Sequence, residues 1–507
     1  MKNQQQGLSR RSFIAGLAGS SLMMSMGSLV SGCSSEQASQ ALSSGDLSKA
    51  FSPNIWLEIN GAGEVLINIV RAEMGQHVGT SLAQIVADEL GADWSKVSFK
   101  HVDTDPKWGV MVTGGSWSVH TSFTQLSQAG AAGRTLIIDA ASKLMGVPAK
   151  ACSADNGVVS AGDRSLTFAE IVSNGDFSRS ISKEELAAMP VKTAAQRNII
   201  GQNLQNRDVE AKSQGDAVYG LDTELPGMAY AMPLLPPTRY GSRIMAIDDA
   251  AAKSIAGYIG AVQINDPTQT VQGCVVVAAE TMPAALKAAK AVNVEWMPGP
   301  TALVTEADIV AEGERLAADP TVGTLYVNEG DIAAATTNAA DTLAATYTTS
   351  TALHFTIEPQ NALVEFDAQG RCHIHAGNQW QSLILPVLAQ ALEMPETDIV
   401  IHQYYLGGGY GRRLFGDQMI PAALAARALG RPVKLIFDRA SDSRFDCVRS
   451  PSVCTLAASF DSDGNVSGID HAAVAGWPTK SMAPGFLGTG IDGKGQFDGF
   501  SISGADH

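Results

Sequence analysis

Three loops in this sequence gather glycines, hydroxyls and amides where a helix is expected to begin. The first is Glu73-Met74-Gly75-Gln76-His77, and the second is Thr113-Gly114-Gly115-Ser116. The third is Gly407-Gly408-Gly409-Tyr410-Gly411, followed by Arg412 and Arg413. Backbone N–H groups at a helix start hold phosphate or another anion without a basic pocket. Gly75 allows close backbone approach, and the Gln76 amide can both donate and accept. A Gly-Gly turn between Thr113 and Ser116 suits a phosphate or a polar-edged ring. The third loop falls short of a dinucleotide fingerprint, because the acid about 20 residues on is absent. Its two arginines could pair with a phosphate or a carboxylate, or face solvent. Taken alone, each loop reads equally well as a structural turn.

Two further groupings carry metal-ligating residue types. His101-Val102-Asp103-Thr104-Asp105 puts alternate residues on one face of a strand end, with a polar turn as the plainer reading. His354 and Glu358 flank Phe355-Thr356-Ile357, and Glu358-Pro359 reads as entry to a loop. The six cysteines form no C-x-x-C pair and no ferredoxin spacing, so no iron–sulfur cluster is expected on this chain. Cys152, Cys274, Cys372, Cys447 and Cys454 read as buried apolar side chains.

The elements that must position these loops follow from periodicity. Residues 53–70 alternate as two strands around a GAGE turn. Residues 81–90 put Leu82, Ile85, Val86 and Leu90 on one helical face, with Thr80 or Ser81 as the cap. A strand near Val97–Val102 leads into the loop 103–118. An Ala-rich helix over 121–145 is closed by Gly146 and Pro148. Residues 225–296 alternate short strands with a helix at 283–291. Strands near 347–351, 361–366 and 371–376 precede a helix ending at Leu392. A strand at 398–404, a helix over 418–429 and a buried strand at 433–439 complete the pattern.

A chain of 507 residues, 45% hydrophobic and 17% charged, is globular, and its length implies three or so domains. The net charge of -16 repels phosphate backbones, so nucleic acid is not an expected partner. Arg10-Arg11 ahead of a modestly apolar stretch to Val30 reads as a twin-arginine export signal. Val30-Ser31-Gly32-Cys33 reads as a lipobox, making Cys33 the lipidated residue of a membrane-anchored periplasmic lipoprotein. The closing residues read as a sheet whose remainder is missing.

Together these segments resemble the molybdopterin-binding subunit of the xanthine dehydrogenase-like molybdenum hydroxylases. The resemblance rests on HFTIEPQ at 354–360, GNQWQS at 377–382, LGGGYG at 406–411 and GRPVKLIFDR at 430–439. EMGQ at 73–76 and DTDPKWGVMVTGGSWS at 103–118 look like that family's cofactor loops, placed first in the chain as in isoquinoline 1-oxidoreductase and related aldehyde-oxidising subunits. AKSQGDAVYGLDTELPGMAYA is close to their hammerhead domain. The implied fold is α+β and multi-domain, truncated at its C-terminus. Its implied parts are a signal (1–33), a linker (34–52), an N-terminal cofactor-binding segment (53–200), a hammerhead domain (201–300), a connector (301–345) and an incomplete molybdopterin-binding domain (346–507).

The implied cofactor is molybdenum molybdopterin, its cytosine dinucleotide form included, with the metal held by the pterin dithiolene and by no side chain. Gly75 and Gln76 would contact the pterin, and Thr113, Gly114, Gly115 and Ser116 its pyrophosphate side. Gln379 would bond the apical oxo group. Gly409, Tyr410 and Gly411 would pass near the metal and shape the substrate funnel, with Gly408 and Arg412 also binding the cofactor. Gln379 and Tyr410 are the implied catalytic residues, with a general-base Glu expected beyond His507. Leu414 stands where a purine-binding Glu would be, so an N-heteroaromatic or an aldehyde is the implied substrate. The implied mechanism is metal-hydroxide attack with hydride transfer. Electrons would leave through a small two-iron, two-sulfur subunit and a cytochrome c beyond it. Two alternatives stay open: a non-catalytic cofactor-holding lipoprotein subunit or truncated remnant, and a nucleotide-dependent dehydrogenase built on the GGGYG loop.

Overall fold

The computed structural model describes residues 48–323, 325 and 327–476, and the backbone of 496–497 and 502–506. The twin-arginine segment and Cys33 lie outside the described residues.

Strand Ala50–Asn54 begins within the stretch read as a linker. It pairs antiparallel with Leu57–Asn60, which pairs with Val65–Ile69. Alternation in Val65–Ile69 buries Val65, Ile67 and Ile69. That strand then pairs in parallel with Val97–His101. A parallel pair needs a crossover, supplied by the helix Val78–Leu90. Leu82, Ile85, Val86 and Leu90 face the core as expected. The helix starts earlier than its pattern indicates. Neither Thr80 nor Ser81 caps it: His77 is the N-cap, in the left-handed region at φ 57°.

The long helix spans Trp117–Met145 and stops at Gly146, φ 66°. Glycine weakens a helix interior, yet Gly130 has a packing reason. A Cβ there would lie 2.6 Å from the Val86 carbonyl oxygen and 2.7 Å from Glu89 Cβ. The two helices therefore cross backbone to backbone. Beyond them sit three short strands, Ser153–Asp155, Val158–Ala161 and Arg164–Thr167, and the helix Phe168–Asn174. A Thr167–Glu170 capping box starts that helix.

The second core surrounds a seven-stranded sheet. Its order is Tyr258–Gln263, Val275–Ala279, Ala229–Leu234, Val433–Ile436, Asn361–Phe366, Cys372–Ala376, Ile399–Gln403. The sheet thus draws strands from both the 201–300 and the 346–507 segments. Strand Val275–Ala279 is buried along its whole length. Helices Gln381–Leu392 and Met419–Leu429 cover one face.

The stretch 301–345 is more than a connector. It holds helices Glu306–Ala317 and Ile332–Thr337 and the start of strand Asp341–Thr349. That strand pairs with Ser452–Phe460, the next neighbour being Val466–Ala475. Cys274 and Cys372 are buried as expected, whereas Cys152, Cys447 and Cys454 are half-buried.

Candidate functional site

Gln379 lies between strand Cys372–Ala376 and helix Gln381–Leu392, and only 3% of it is exposed. Its Nε2 donates to the Thr113 carbonyl at 2.9 Å, and its Oε1 accepts from Gly411 N–H at 3.2 Å. Its backbone N–H donates to the Arg413 carbonyl at 2.9 Å, and its carbonyl accepts from Thr113 N–H at 2.6 Å. One residue therefore binds the second loop to the third. The first loop joins them through Leu406 N–H to the Glu73 carbonyl at 2.9 Å. Gly409 sits where all meet: a Cβ there would lie 2.6 Å from Gln379 Oε1 and 2.7 Å from Met74 Sδ. A side chain there would displace the Gln379 amide or the Met74 thioether. A Cβ at Gly114 would lie 3.5 Å from Leu414.

The residues differ in what they present. Gly75 (φ 108°) is exposed, with open space where a Cβ would stand. Gln76 is also exposed, but its amide shapes its own loop: Oε1 accepts from Met74 N–H at 2.7 Å and Nε2 donates to the Ala72 carbonyl at 2.8 Å. Thr113 is buried, and its hydroxyl accepts from Ala72 N–H at 2.7 Å. Gly115 and Ser116 are exposed, and Ser116 adopts φ 61° as the N-cap of the long helix without a side-chain cap bond. Gly408 is buried at φ 93°. Tyr410, 67% exposed at φ 55°, projects to solvent from a strained backbone.

Arg412 and Arg413 neither reach an open site nor face solvent. Arg412 bonds Asp417 at 2.7 Å and lies 3.3 Å from Asp446, while Arg413 bonds Glu358 at 3.0 Å. Both arginines are buried, so they act as internal struts for the third loop. His354 pairs with Asp446 at 2.9 Å. His354 and Glu358 therefore have separate partners and form no metal pair. In the His101–Asp105 segment, His101 turns to the Arg71 carbonyl at 2.7 Å, while Asp103 reaches His402 at 2.8 Å.

Two side chains, Glu73 and Arg71, have roles that the sequence reading did not assign. Glu73, 1% exposed, accepts from the N–H groups of Gly75, His77 and Val78 at 2.8, 3.1 and 2.9 Å. This carboxylate caps helix Val78–Leu90, so that helix start already holds its anion. Arg71, 4% exposed, bonds the Val112 carbonyl, Thr121 Oγ1 at 2.9 Å and Ser122 Oγ at 3.1 Å. Among the described residues no carboxylate pairs with it, its Nε has no partner, and burial lowers its pKa to about 10. An uncompensated buried cation thus lies beneath the uncapped start of the long helix. An apolar strand ending in a lone arginine, directly before a glycine loop, is the signal that marks Arg71.

Two family models describing molybdopterin cofactor-binding domains match residues 15–205 and 317–486. Over its full length the chain is 46% identical to the membrane-bound aldehyde dehydrogenase (pyrroloquinoline-quinone) of Gluconacetobacter polyoxogenes, spanning 65% of that protein.

Over most of its length the chain belongs to the molybdopterin cofactor-binding domain family.

It is also 27% identical to the beta subunit of isoquinoline 1-oxidoreductase from Brevundimonas diminuta, across 84% of this chain and 59% of that one. The solved structure of quinoline 2-oxidoreductase from Pseudomonas putida 86 aligns with a TM-score of 0.45 at 21% identity, over 55% of this chain and 39% of that one. The chain thus spans about two thirds or less of these relatives. A molybdopterin cofactor carries a phosphate group, and the second loop fits an anion. Gly115 and Ser116 expose backbone, the helix start behind them lacks a side-chain cap, and Arg71 supplies unpaired positive charge.

Proposed function

We propose that this chain is the catalytic, molybdopterin-binding subunit of an exported molybdenum hydroxylase that oxidises an aldehyde or an N-heteroaromatic compound. The single observation carrying the reading is the meeting of all three loops around Gln379. When bound, the cofactor supplies the two-electron acceptor and an activated oxygen for transfer. The chain's own residues hold and orient. Gly114, Gly115 and Ser116, with the helix start and Arg71, take the pyrophosphate. Gly75 admits the pterin edge. Gln379 uses one Nε2 proton on Thr113 and keeps a second for an acceptor in the site. Gly409 and Gly411 leave room beside it, and Tyr410 forms the rim. A proton acceptor is required for the attacking oxygen. The product electrons leave through a small two-iron, two-sulfur subunit and a cytochrome c.

Export by the twin-arginine route with Cys33 as a lipid anchor completes the proposal. Among the described residues no helix is long and apolar enough to cross a membrane. The Gluconacetobacter relative is named membrane-bound, which is compatible with a lipid anchor. Its name also carries a quinone, the basis of a second reading in which these loops hold pyrroloquinoline quinone. Turnover of acetaldehyde and of isoquinoline with an artificial acceptor tests the main reading, using enzyme purified with its partner. Oxidation of either substrate, reduced about 10²–10³-fold by Gln379→Ala, supports it. Turnover of neither substrate, or a Gln379→Ala variant with unchanged kinetics, contradicts it.

A further inference from the structure

Away from the three loops, histidines gather on the seven-stranded sheet. His373 and His375 are two apart on strand Cys372–Ala376, so they share a face. Parallel register sets His402 of the neighbouring strand directly beside His375. His402 Nδ1 lies 2.8 Å from the Asp103 carboxylate, and His373 Nε2 lies 3.2 Å from that of Asp367. An ionised carboxylate only accepts hydrogen bonds, so both of these outer nitrogens carry their ring's proton. A neutral imidazole has one N–H, which leaves both inner nitrogens bare. Those are His373 Nδ1 and His402 Nε2, and they are 3.0 Å apart. Two lone pairs that close repel each other, so the gap calls for a cation.

We propose that these residues form a site for a divalent transition metal of the zinc class, with His373 Nδ1, His402 Nε2 and His375 as ligands. Zinc–nitrogen bonds of about 2.0–2.1 Å in tetrahedral geometry separate two nitrogens by ~3.3–3.4 Å, a few tenths beyond the spacing already present. His375 Nε2 is buried without a hydrogen-bond partner. Its ring stacks on His402 at 4.5 Å and must turn out of that stack to bind. Asp103 and Asp367 stand behind the inner pair as the carboxylates that orient metal-binding histidines. Glu365, at 3.9 Å from His375 Nε2, and the Tyr404 hydroxyl, at 3.0 Å from its Nδ1, close the site.

The metal would rivet a cofactor loop to the sheet. Asp103 opens the segment that leads to Thr113, and that segment already bonds the strand through Thr104 N–H to the Ile401 carbonyl at 3.1 Å and Gln403 N–H to Asp103 at 3.0 Å. Glu73, His77 and Asp208 also bring ligand atoms together, but the Lys212 ammonium sits among them, bonded to both carboxylates.

The test titrates the full chain with Zn²⁺ alone, by calorimetry, with zinc-edge absorption on the loaded sample. The proposal expects one zinc per chain with nitrogen neighbours at about 2.0–2.1 Å. His373→Gln and His402→Gln should each weaken binding more than about 100-fold, and Asp103→Asn about 10–100-fold. His77→Gln should leave it unchanged, and circular dichroism checks that every variant is folded. Absence of stoichiometric zinc, with a shared N–H···N proton visible by NMR, would overturn the proposal. So would zinc binding that survives both histidine substitutions.

Discussion

Replacing Glu73 by Gln keeps the shape of a side chain on which several elements converge. The wild-type carboxylate receives three backbone N–H bonds at the start of helix Val78–Leu90 and the Lys212 ammonium at 2.7 Å. An amide can turn its oxygen toward Gly75, His77 and Lys212. Its NH₂ then confronts Val78 N–H, donor against donor. One charge-assisted bond of about 1.5–3 kcal/mol is lost. The attraction between the helix start and the carboxylate, up to ~2 kcal/mol when partly buried, goes with it. The Lys212 ion pair becomes a neutral hydrogen bond. The total of about 3–5 kcal/mol matches the usual cost of breaking a buried pair. With an m-value of about 2 kcal/mol per molar urea, the unfolding midpoint should fall by roughly 2 M. Lys212→Met should cost a similar amount. The double variant should cost at least ~1 kcal/mol less than the sum, because the partners share one interaction. A midpoint shift below about 0.5 M, or full additivity, would refute the assignment of Glu73 as the helix cap and partner of Lys212.

Other consequences are equally direct. Gly130→Ala gains about 1 kcal/mol of helix propensity but drives a methyl into the Val86 carbonyl, so a net loss of about 1–2 kcal/mol is expected by urea denaturation. Burial alone would raise the pKa of Asp417, yet Arg412 and Arg239 hold it at about 2. A carboxylate with a depressed folded pKa stabilises the fold above its unfolded value of about 3.9 and loses that contribution as pH falls through its folded value. The urea midpoint should therefore drop between pH 4 and 2, and Asp417→Asn should flatten that drop while lowering stability at pH 7. Gln379→Ala removes the bonds to Thr113 and Gly411, so besides slowing turnover it should cost about 2–4 kcal/mol in the same urea assay.

The glycine loops were legible because sharp turns and close approach demand glycine, as at Gly407, where a Cβ would lie 2.4 Å from Glu358 Cβ. Periodicity placed the helix near 81–90, and closing Gly and Pro residues marked those over 121–145 and 418–429. What periodicity does not carry is partnership across distance. The cap of helix Val78–Leu90 comes from Glu73, which precedes the amphipathic pattern and reads as part of a turn. Arg412 and Arg413 looked like anion ligands because Asp417, Asp446 and Glu358 become their neighbours only in the fold. His373 and His375 are visible as a pair in sequence, but His402 joins them through strand register alone. The seven-stranded sheet interleaves distant segments, so no local pattern announces its order.

The central claim is that three loops, tied together by Gln379, hold a molybdenum-bearing pterin. It is tested most directly by the metal and cofactor content of the purified protein. Elemental analysis beside cofactor extraction should give molybdenum near one per chain with a matching amount of pterin, and markedly less of both in Gly115→Val with Arg71→Met. Stoichiometric pyrroloquinoline quinone with no molybdenum would contradict the account, and would assign these loops to a different cofactor.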